Sequence, residues 1–167
     1  MFPGEITDLS KQVIAALIER QMTIVTAESC TGGLIGGALT EISGSSAVVY
    51  GGFITYANEA KMEMIGVRAD ILDHHGAVSE QTARAMAEGA LKASGADIAI
   101  AVTGIAGPNG GSIAKPVGLV HFGCARAQDT QCREHRFNPK LSRQDIRLAT
   151  VGEALKMVLE MLADDQA

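Results

Sequence analysis

The sequence of 167 residues contains no tryptophan, and aromatic residues make up only 4% of it. Such a chain lacks most of the stacking surface on which proteins that bind single-stranded nucleic acid depend. Its net charge of −5 also excludes the overall positive field that supplies most affinity for duplex DNA. We therefore expect no nucleic acid among its partners.

Cysteine and long apolar runs are also scarce. The three cysteines, Cys30, Cys124 and Cys132, are odd in number and show no Cys-x-x-Cys spacing, so neither a disulfide framework nor a zinc cluster is predicted. No apolar run reaches the roughly 18 residues of a membrane span, and three carboxylates interrupt the first 21 residues, where a signal peptide needs an apolar stretch. These absences predict no membrane association and a cytoplasmic location.

What remains is typical of a globular α/β protein. With 47% hydrophobic and 20% charged residues, the chain is neither disordered nor fibrous, and its length fits a single domain over residues 1–167. Apolar residues at three- and four-residue steps predict helices at 6–17, 34–42, 79–94 and 142–162. Short β-branched or apolar runs predict strands at 23–27, 47–56, 97–103, 117–125 and 130–137. This order predicts a three-layer α/β/α sandwich whose mixed, largely parallel sheet ends in an antiparallel edge hairpin.

Two loops of small residues follow predicted strands, Glu28 to Gly33 and Thr103 to Gly111. Ligands of open α/β sheets bind beyond the carboxyl ends of the strands, so both loops are candidate sites. In the first, Ser29 can serve as a nucleophile beside backbone N–H groups at a helix start, or it can be a simple helix cap. The second lacks any dinucleotide or P-loop fingerprint, and its glycines suit either a flexible turn or close backbone contact with a ligand.

Lys61 is a second candidate for the chemistry. If Asn58 caps its helix, Lys61 lies in the first turn, where the helix dipole and partial burial would both lower its pKa. A neutral lysine can deprotonate Ser29, as in Ser-Lys hydrolases. The alternative is an ordinary solvated lysine. Tyr56, five residues earlier, can relay a proton, orient the hydroxyl or be a plain strand tyrosine.

Three rival arrangements deserve comparison with the Ser29–Lys61 pair. Cys30 could act as the nucleophile with a histidine base, although a small buried cysteine is the commoner occurrence. A metal site is not predicted, because the spacing of the only candidate cluster spreads it over several helix faces. That cluster comprises Asp70, Asp73, His74 and His75. Arg143 and Arg147, four residues apart, share a helix face that can hold a phosphate or simply face solvent.

Seven blocks, spread over nearly the whole chain, together resemble the CinA C-terminal family, the nicotinamide-nucleotide amidase family, in its stand-alone form. The blocks are TAESCTGG (26–33), GSSAV (44–48), GGFITYANEAK (51–61), GV (66–67), HGAVS (75–79), VTGIAGPNGG (102–111) and KPVGLV (115–120). The resemblance implies that the carboxamide of nicotinamide mononucleotide is hydrolysed to nicotinate mononucleotide and ammonia, without metal or organic cofactor. It further implies Ser29 as nucleophile, Lys61 as base and Tyr56 as the accompanying tyrosine.

The same resemblance implies the residues that bind a small pyridine nucleotide. Backbone N–H groups of Cys30, Thr31 and Gly32 are expected at the oxyanion. Thr103 and Gly104 are expected to face the substrate, with Arg143 or Arg147 at its phosphate. Where relatives often read G-D-R before the last helix, this chain has Leu-Ser-Arg at 141–143.

Two other functions stay open at this point. One is a non-catalytic nucleotide-binding or regulatory module, since a fold does not establish activity. The other is a Ser-Lys hydrolase of a different amide. The alanine-rich helices make a homodimer reasonable.

Overall fold

A five-stranded sheet lies between two layers of helices in the computed structural model, which describes residues 1–164. The strands are β1 (Ile24–Glu28), β2 (Val49–Ile54), β3 (Ile98–Gly104), β4 (Leu119–Arg126) and β5 (Asp129–Arg136). The helices are α1 (Gly4–Arg20), α2 (Leu34–Thr40), α3 (Asn58–Ile65), α4 (Ala69–His75), α5 (Glu80–Ser94) and α6 (Arg143–Ala163). Within these residues no helix is long and apolar enough to cross a membrane.

The sheet has the strand order β2-β1-β3-β4-β5 and is mixed. β1 pairs in parallel with β2 and β3, whereas β3–β4 and β4–β5 are antiparallel. β1 is buried throughout and β3 almost so, as expected for strands covered on both faces, while β5 at the edge has partly or fully exposed residues along its whole length. The α/β fold and the predicted edge hairpin are thereby confirmed.

The two helical layers bury different faces of the sheet. Helices α1, α2 and α6 supply side chains to one apolar cluster, and α3, α4 and α5 to the other. Small residues let α5 approach its neighbours closely. A Cβ on Gly89 would lie 1.9 Å from the Ile65 carbonyl oxygen, and one on Gly123 would lie 2.5 Å from the Ala83 oxygen. These distances leave no room for a side chain at either glycine.

Two predicted helix caps are confirmed and one is wrong. Ser79 accepts a hydrogen bond from the Thr82 N–H at the start of α5, and Ser142 accepts one from Asp145 N–H at the start of α6. At α3, however, Ala57 is the capping residue and Asn58 is already helical, with no side-chain cap. The backbone N–H of Lys61, whose side chain is buried, closes the first turn on the Ala57 carbonyl at 3.2 Å.

The fold brings both candidate loops to one edge of the sheet. β1, β2 and β3 run in the same direction, so their carboxyl ends lie side by side. The segment 29–33 follows β1, the segment 55–57 follows β2, and β3 ends at Thr103 and Gly104. The three segments therefore lie together at the edge of the sheet formed by the carboxyl ends of β1, β2 and β3.

Candidate active site

A cavity of about 240 Å³ opens where these strands end. Predicted site residues make up about half of its lining: Ser29, Cys30, Tyr56, Lys61, Thr103, Gly104 and Arg143. Four other lining residues belong to the candidate loop Thr103 to Gly111, namely Ile105, Ala106, Gly107 and Asn109, whereas Ala77 and Val78 were not expected at the site. Thr31, Gly32 and Arg147, also predicted, lie outside this lining.

Lys61 is one of the largest fully buried side chains, only 1% exposed. Its Nζ lies 3.3 Å from Ser29 Oγ, and it donates hydrogen bonds to the carbonyl oxygens of Thr55 at 2.8 Å and Tyr56 at 3.1 Å. The chain turns from β2 into α3 around this amine, so Thr55 and Tyr56 contact it through their backbone. The structure thus brings together the predicted serine and lysine.

The surroundings of Lys61 suit a neutral amine. Burial, the larger effect, lowers the pKa of Lys61 below its ordinary 10.5, and the nearby Cys30 thiol opposes this shift. A neutral amine has two N–H donors and one lone pair, which match two carbonyl oxygens and one hydroxyl donor. As an ammonium, Lys61 donates its third hydrogen bond to Ser29 Oγ. Once neutral, with Thr55 and Tyr56 still holding its two N–H groups, it turns its lone pair toward that hydroxyl and can accept the proton of Ser29.

Glu28, which sequence reasoning did not single out, anchors the segment after β1. It is 1% exposed. Its Oε2 accepts from Thr31 Oγ1 at 2.6 Å and from two backbone N–H groups at 3.0 Å, those of Gly33 and Ile35, while Oε1 accepts from Gly36 N–H at 2.8 Å. The sequence feature that could have indicated this role is a carboxylate between a buried strand and a helix start, where unpaired backbone N–H groups need acceptors.

Arg147 lies on the outer side of the same segment. Its Nε donates to the Cys30 carbonyl at 3.1 Å and its Nη2 to the Thr31 carbonyl at 2.8 Å. The guanidinium expected at a substrate phosphate is therefore engaged with backbone. Between the two predicted arginines, Arg143 is the one that lines the cavity.

Arg143 connects two of the segments around the cavity. It donates to the Gly107 carbonyl at 2.7 Å and to the Tyr56 hydroxyl at 3.1 Å. Tyr56 is 60% exposed, and its hydroxyl accepts a hydrogen bond from this arginine rather than meeting Ser29. The sequence anticipated Tyr56 at the site, and the structure gives it two contacts there: its carbonyl holds Lys61 and its hydroxyl meets Arg143.

The rival arrangements receive little support from the geometry. Burial raises the pKa of the Cys30 thiol to about 12, which disfavours a thiolate nucleophile. No histidine lines the cavity. His121, opposite Thr103 on β4, is buried outside the lining, and its Nε2 lies 3.8 Å from Glu134 Oε2. No group of metal-competent side chains forms a site among residues 1–164, and Asp70 is instead paired with Arg68 at 2.7 Å.

Comparison with known proteins agrees with this architecture. The family model of the CinA C-terminal domain matches residues 6–162. CinA-like proteins of Synechococcus sp. and Syntrophus aciditrophicus are 46% and 47% identical over 94% and 95% of this chain. The chain spans only 38% of the length of each of these curated relatives.

Solved structures show the same fold. The competence/damage inducible protein CihA from Agrobacterium tumefaciens has a TM-score of 0.94 and 52% identity, with 98% of both chains covered. A CinA superfamily protein from Escherichia coli has a TM-score of 0.89 and 33% identity, covering 93% of this chain and 90% of that one.

Proposed function

Because the chain belongs to the CinA C-terminal domain family, we propose that it hydrolyses the carboxamide of nicotinamide mononucleotide to nicotinate mononucleotide and ammonia. The observation that carries the proposal is the buried Lys61 amine 3.3 Å from Ser29 Oγ, both in the lining of one cavity. The choice of substrate rests on the resemblance of the seven sequence blocks to nicotinamide-nucleotide amidases.

The reaction begins with formation of a tetrahedral intermediate on Ser29. Neutral Lys61 accepts the Ser29 proton as Oγ attacks the carboxamide carbon, and the resulting ammonium stays hydrogen-bonded to two carbonyl oxygens. The tetrahedral oxyanion needs donors. Gly32 N–H is already bonded to the Ser29 carbonyl at 3.0 Å, so we assign the role to the N–H groups of Cys30 and Thr31.

Collapse of this intermediate acylates Ser29, and hydrolysis then completes the turnover. Lys61 returns its proton to the amide nitrogen, the C–N bond breaks, and ammonia leaves an acyl-serine. Water then attacks the ester carbon while Lys61 again accepts a proton, and Ser29 recovers that proton as nicotinate mononucleotide departs. The scheme needs no metal or organic cofactor.

Arg143 is the proposed partner of the substrate's phosphate. Its guanidinium lies at the cavity and its two acceptors, the Tyr56 hydroxyl and the Gly107 carbonyl, are neutral. A phosphate offers the guanidinium a charged, bidentate partner that can replace the tyrosine hydroxyl.

The test is ammonia release from nicotinamide mononucleotide by the purified protein in the presence of a chelator. We expect turnover in the wild type and in Ser46→Ala, a matched control at an exposed serine, and at least about a 1,000-fold loss in Ser29→Ala. Lys61→Met should lose activity comparably, because the serine then has no base. Normal turnover in Ser29→Ala would refute the mechanism.

Two results would lead to the other functions. Binding of the nucleotide without ammonia release would indicate the regulatory module. Release of ammonia from other carboxamides, abolished by Ser29→Ala, would indicate a Ser-Lys hydrolase with a different substrate.

A further inference from the structure

We propose that Glu28 and Arg147 are positioning residues, which hold the nucleophile turn, residues 29–31, from two sides so that Ser29 faces Lys61. The inference rests on the proposed function, in which Ser29 is the nucleophile. Neither residue lines the cavity, so both act on the substrate only through the turn. Their contacts differ in kind, and each fixes a different part of the turn.

Glu28 ties the turn to the start of α2. Its carboxylate accepts from the Thr31 hydroxyl within the turn and from three N–H groups just beyond it. All four donors are neutral, so this buried carboxylate is stabilised by hydrogen bonds alone in the part of the chain described. A glutamine would offer these donors one oxygen and one NH₂ group, and the NH₂ would oppose at least one of them.

Arg147 fixes the orientation of the turn's peptide groups. The C=O and N–H of a trans peptide point in opposite directions. Because Arg147 holds the Cys30 carbonyl at 3.1 Å, the N–H of Thr31, in the same peptide group, points away from the guanidinium. This N–H is one of the two donors that we assign to the oxyanion, so Arg147 orients it before substrate arrives.

The remaining bonds close the turn. Ser29 N–H donates to the Val102 carbonyl on β3 at 3.1 Å, and Gly32 N–H donates to the Ser29 carbonyl at 3.0 Å. Leu34 N–H also donates to the Thr31 carbonyl at 3.3 Å, so that carbonyl keeps a donor without Arg147, whereas the Cys30 carbonyl accepts from Arg147. Loss of the Arg147 bonds therefore frees the Cys30–Thr31 peptide group to shift, and a displacement of about 1 Å in a catalytic group can lower the rate on the order of 100-fold.

The variant Arg147→Lys tests this role, because lysine keeps the charge but has no planar fork. We expect kcat to fall about 30- to 100-fold while KM stays within about threefold. Arg133→Lys is the matched control. Arg133 bridges Glu153 and Glu160 on α6 away from the cavity, and its replacement should lower the melting temperature while leaving kcat unchanged. Glu28→Gln should resemble Arg147→Lys in its loss of kcat.

A second readout does not depend on the amide substrate. A small fluorophosphonate labels an activated serine: Ser29 Oγ forms the bond to phosphorus, fluoride leaves, and Lys61 accepts the proton. We expect Arg147→Lys to slow this labelling by the same factor as kcat and Arg133→Lys to leave its rate unchanged.

The outcomes separate the two proposals. If the wild type is labelled at Ser29 but releases no ammonia from the nucleotide, the proposed substrate is wrong and the labelling rates still test positioning. If Arg147→Lys is labelled as fast as the wild type, the positioning role is refuted. Equal losses of kcat in Arg147→Lys and Arg133→Lys would also refute it, because the effect would then follow stability alone.

Discussion

Replacing Lys61 by methionine tests whether the amine beside Ser29 is buried in its neutral form. Methionine has a similar length and no titratable group, so the variant removes the proton equilibrium while largely filling the volume. In the wild type, burial lowers the pKa of Lys61 below 10.5. The unfolded chain, with an ordinary lysine, therefore binds more protons than the folded chain between the folded-state pKa and 10.5.

This difference fixes the sign of the pH dependence. Because the unfolded state binds the extra proton, the wild-type free energy of unfolding rises with pH through that window, relative to Lys61→Met. The contribution is absent below the folded-state pKa and complete above 10.5. Its slope is at most about 1.4 kcal/mol per pH unit. For an amine that is neutral throughout pH 8 to 10, the gain over that range has an upper limit of about 2.6 kcal/mol.

Urea unfolding at pH 8, 9 and 10 measures the effect in the wild type and in two variants. The difference between wild type and Lys61→Met should increase steadily with pH, whereas Lys92→Met, at an exposed lysine, should show no trend. Lys61→Met also leaves two buried carbonyl oxygens without their donor. That loss lowers the free energy of unfolding of the variant equally at the three pH values, so it does not alter the slope. A difference that stays flat from pH 8 to 10 would refute the neutral lysine and remove Lys61 as the base.

Two further predictions concern the packing of α5 and the thiol beside Ser29. Gly89→Ala should destabilise the protein by roughly 1–3 kcal/mol, because its Cβ would lie 1.9 Å from a backbone oxygen of α3. Gly152→Ala on α6, with nothing within 4 Å of its Cβ, should instead stabilise by about 0.5–1 kcal/mol, and thermal unfolding of both variants compares them directly. Cys30→Ala should keep turnover within about threefold of wild type, since burial raises the thiol's pKa to about 12 and only its backbone N–H is used. Loss of activity comparable to that of Ser29→Ala would reinstate Cys30 as a nucleophile.

Local patterns predicted most of the elements correctly, for reasons that lie within short stretches of chain. The unbroken apolar run at 97–103 indicated a strand buried on both faces, and β3 is such a strand. Ser79 and Ser142 each precede a helical apolar pattern, and both are caps. The predicted cap at Asn58 is wrong, because the sequence shows only that an asparagine lies near the helix start. Whether its side chain can reach a backbone N–H depends on where the helix begins, and α3 begins at Asn58 itself.

The sequence by itself determined the α/β fold and the family, and it predicted a candidate site beyond the strand ends. Hydrophobic periodicity and loops of small residues can be recognised within short stretches of sequence, and the family resemblance adds up over several such stretches, so none of them requires the tertiary structure. Only the tertiary structure decided which side chains meet. The 3.3 Å approach of Ser29 to Lys61 requires two parallel neighbours, β1 and β2, to end together, and the engagement of Arg147 with backbone requires α6 to pack beside α2, the helix that follows the turn. Contacts across 32 and 117 residues depend on packing that no local pattern encodes.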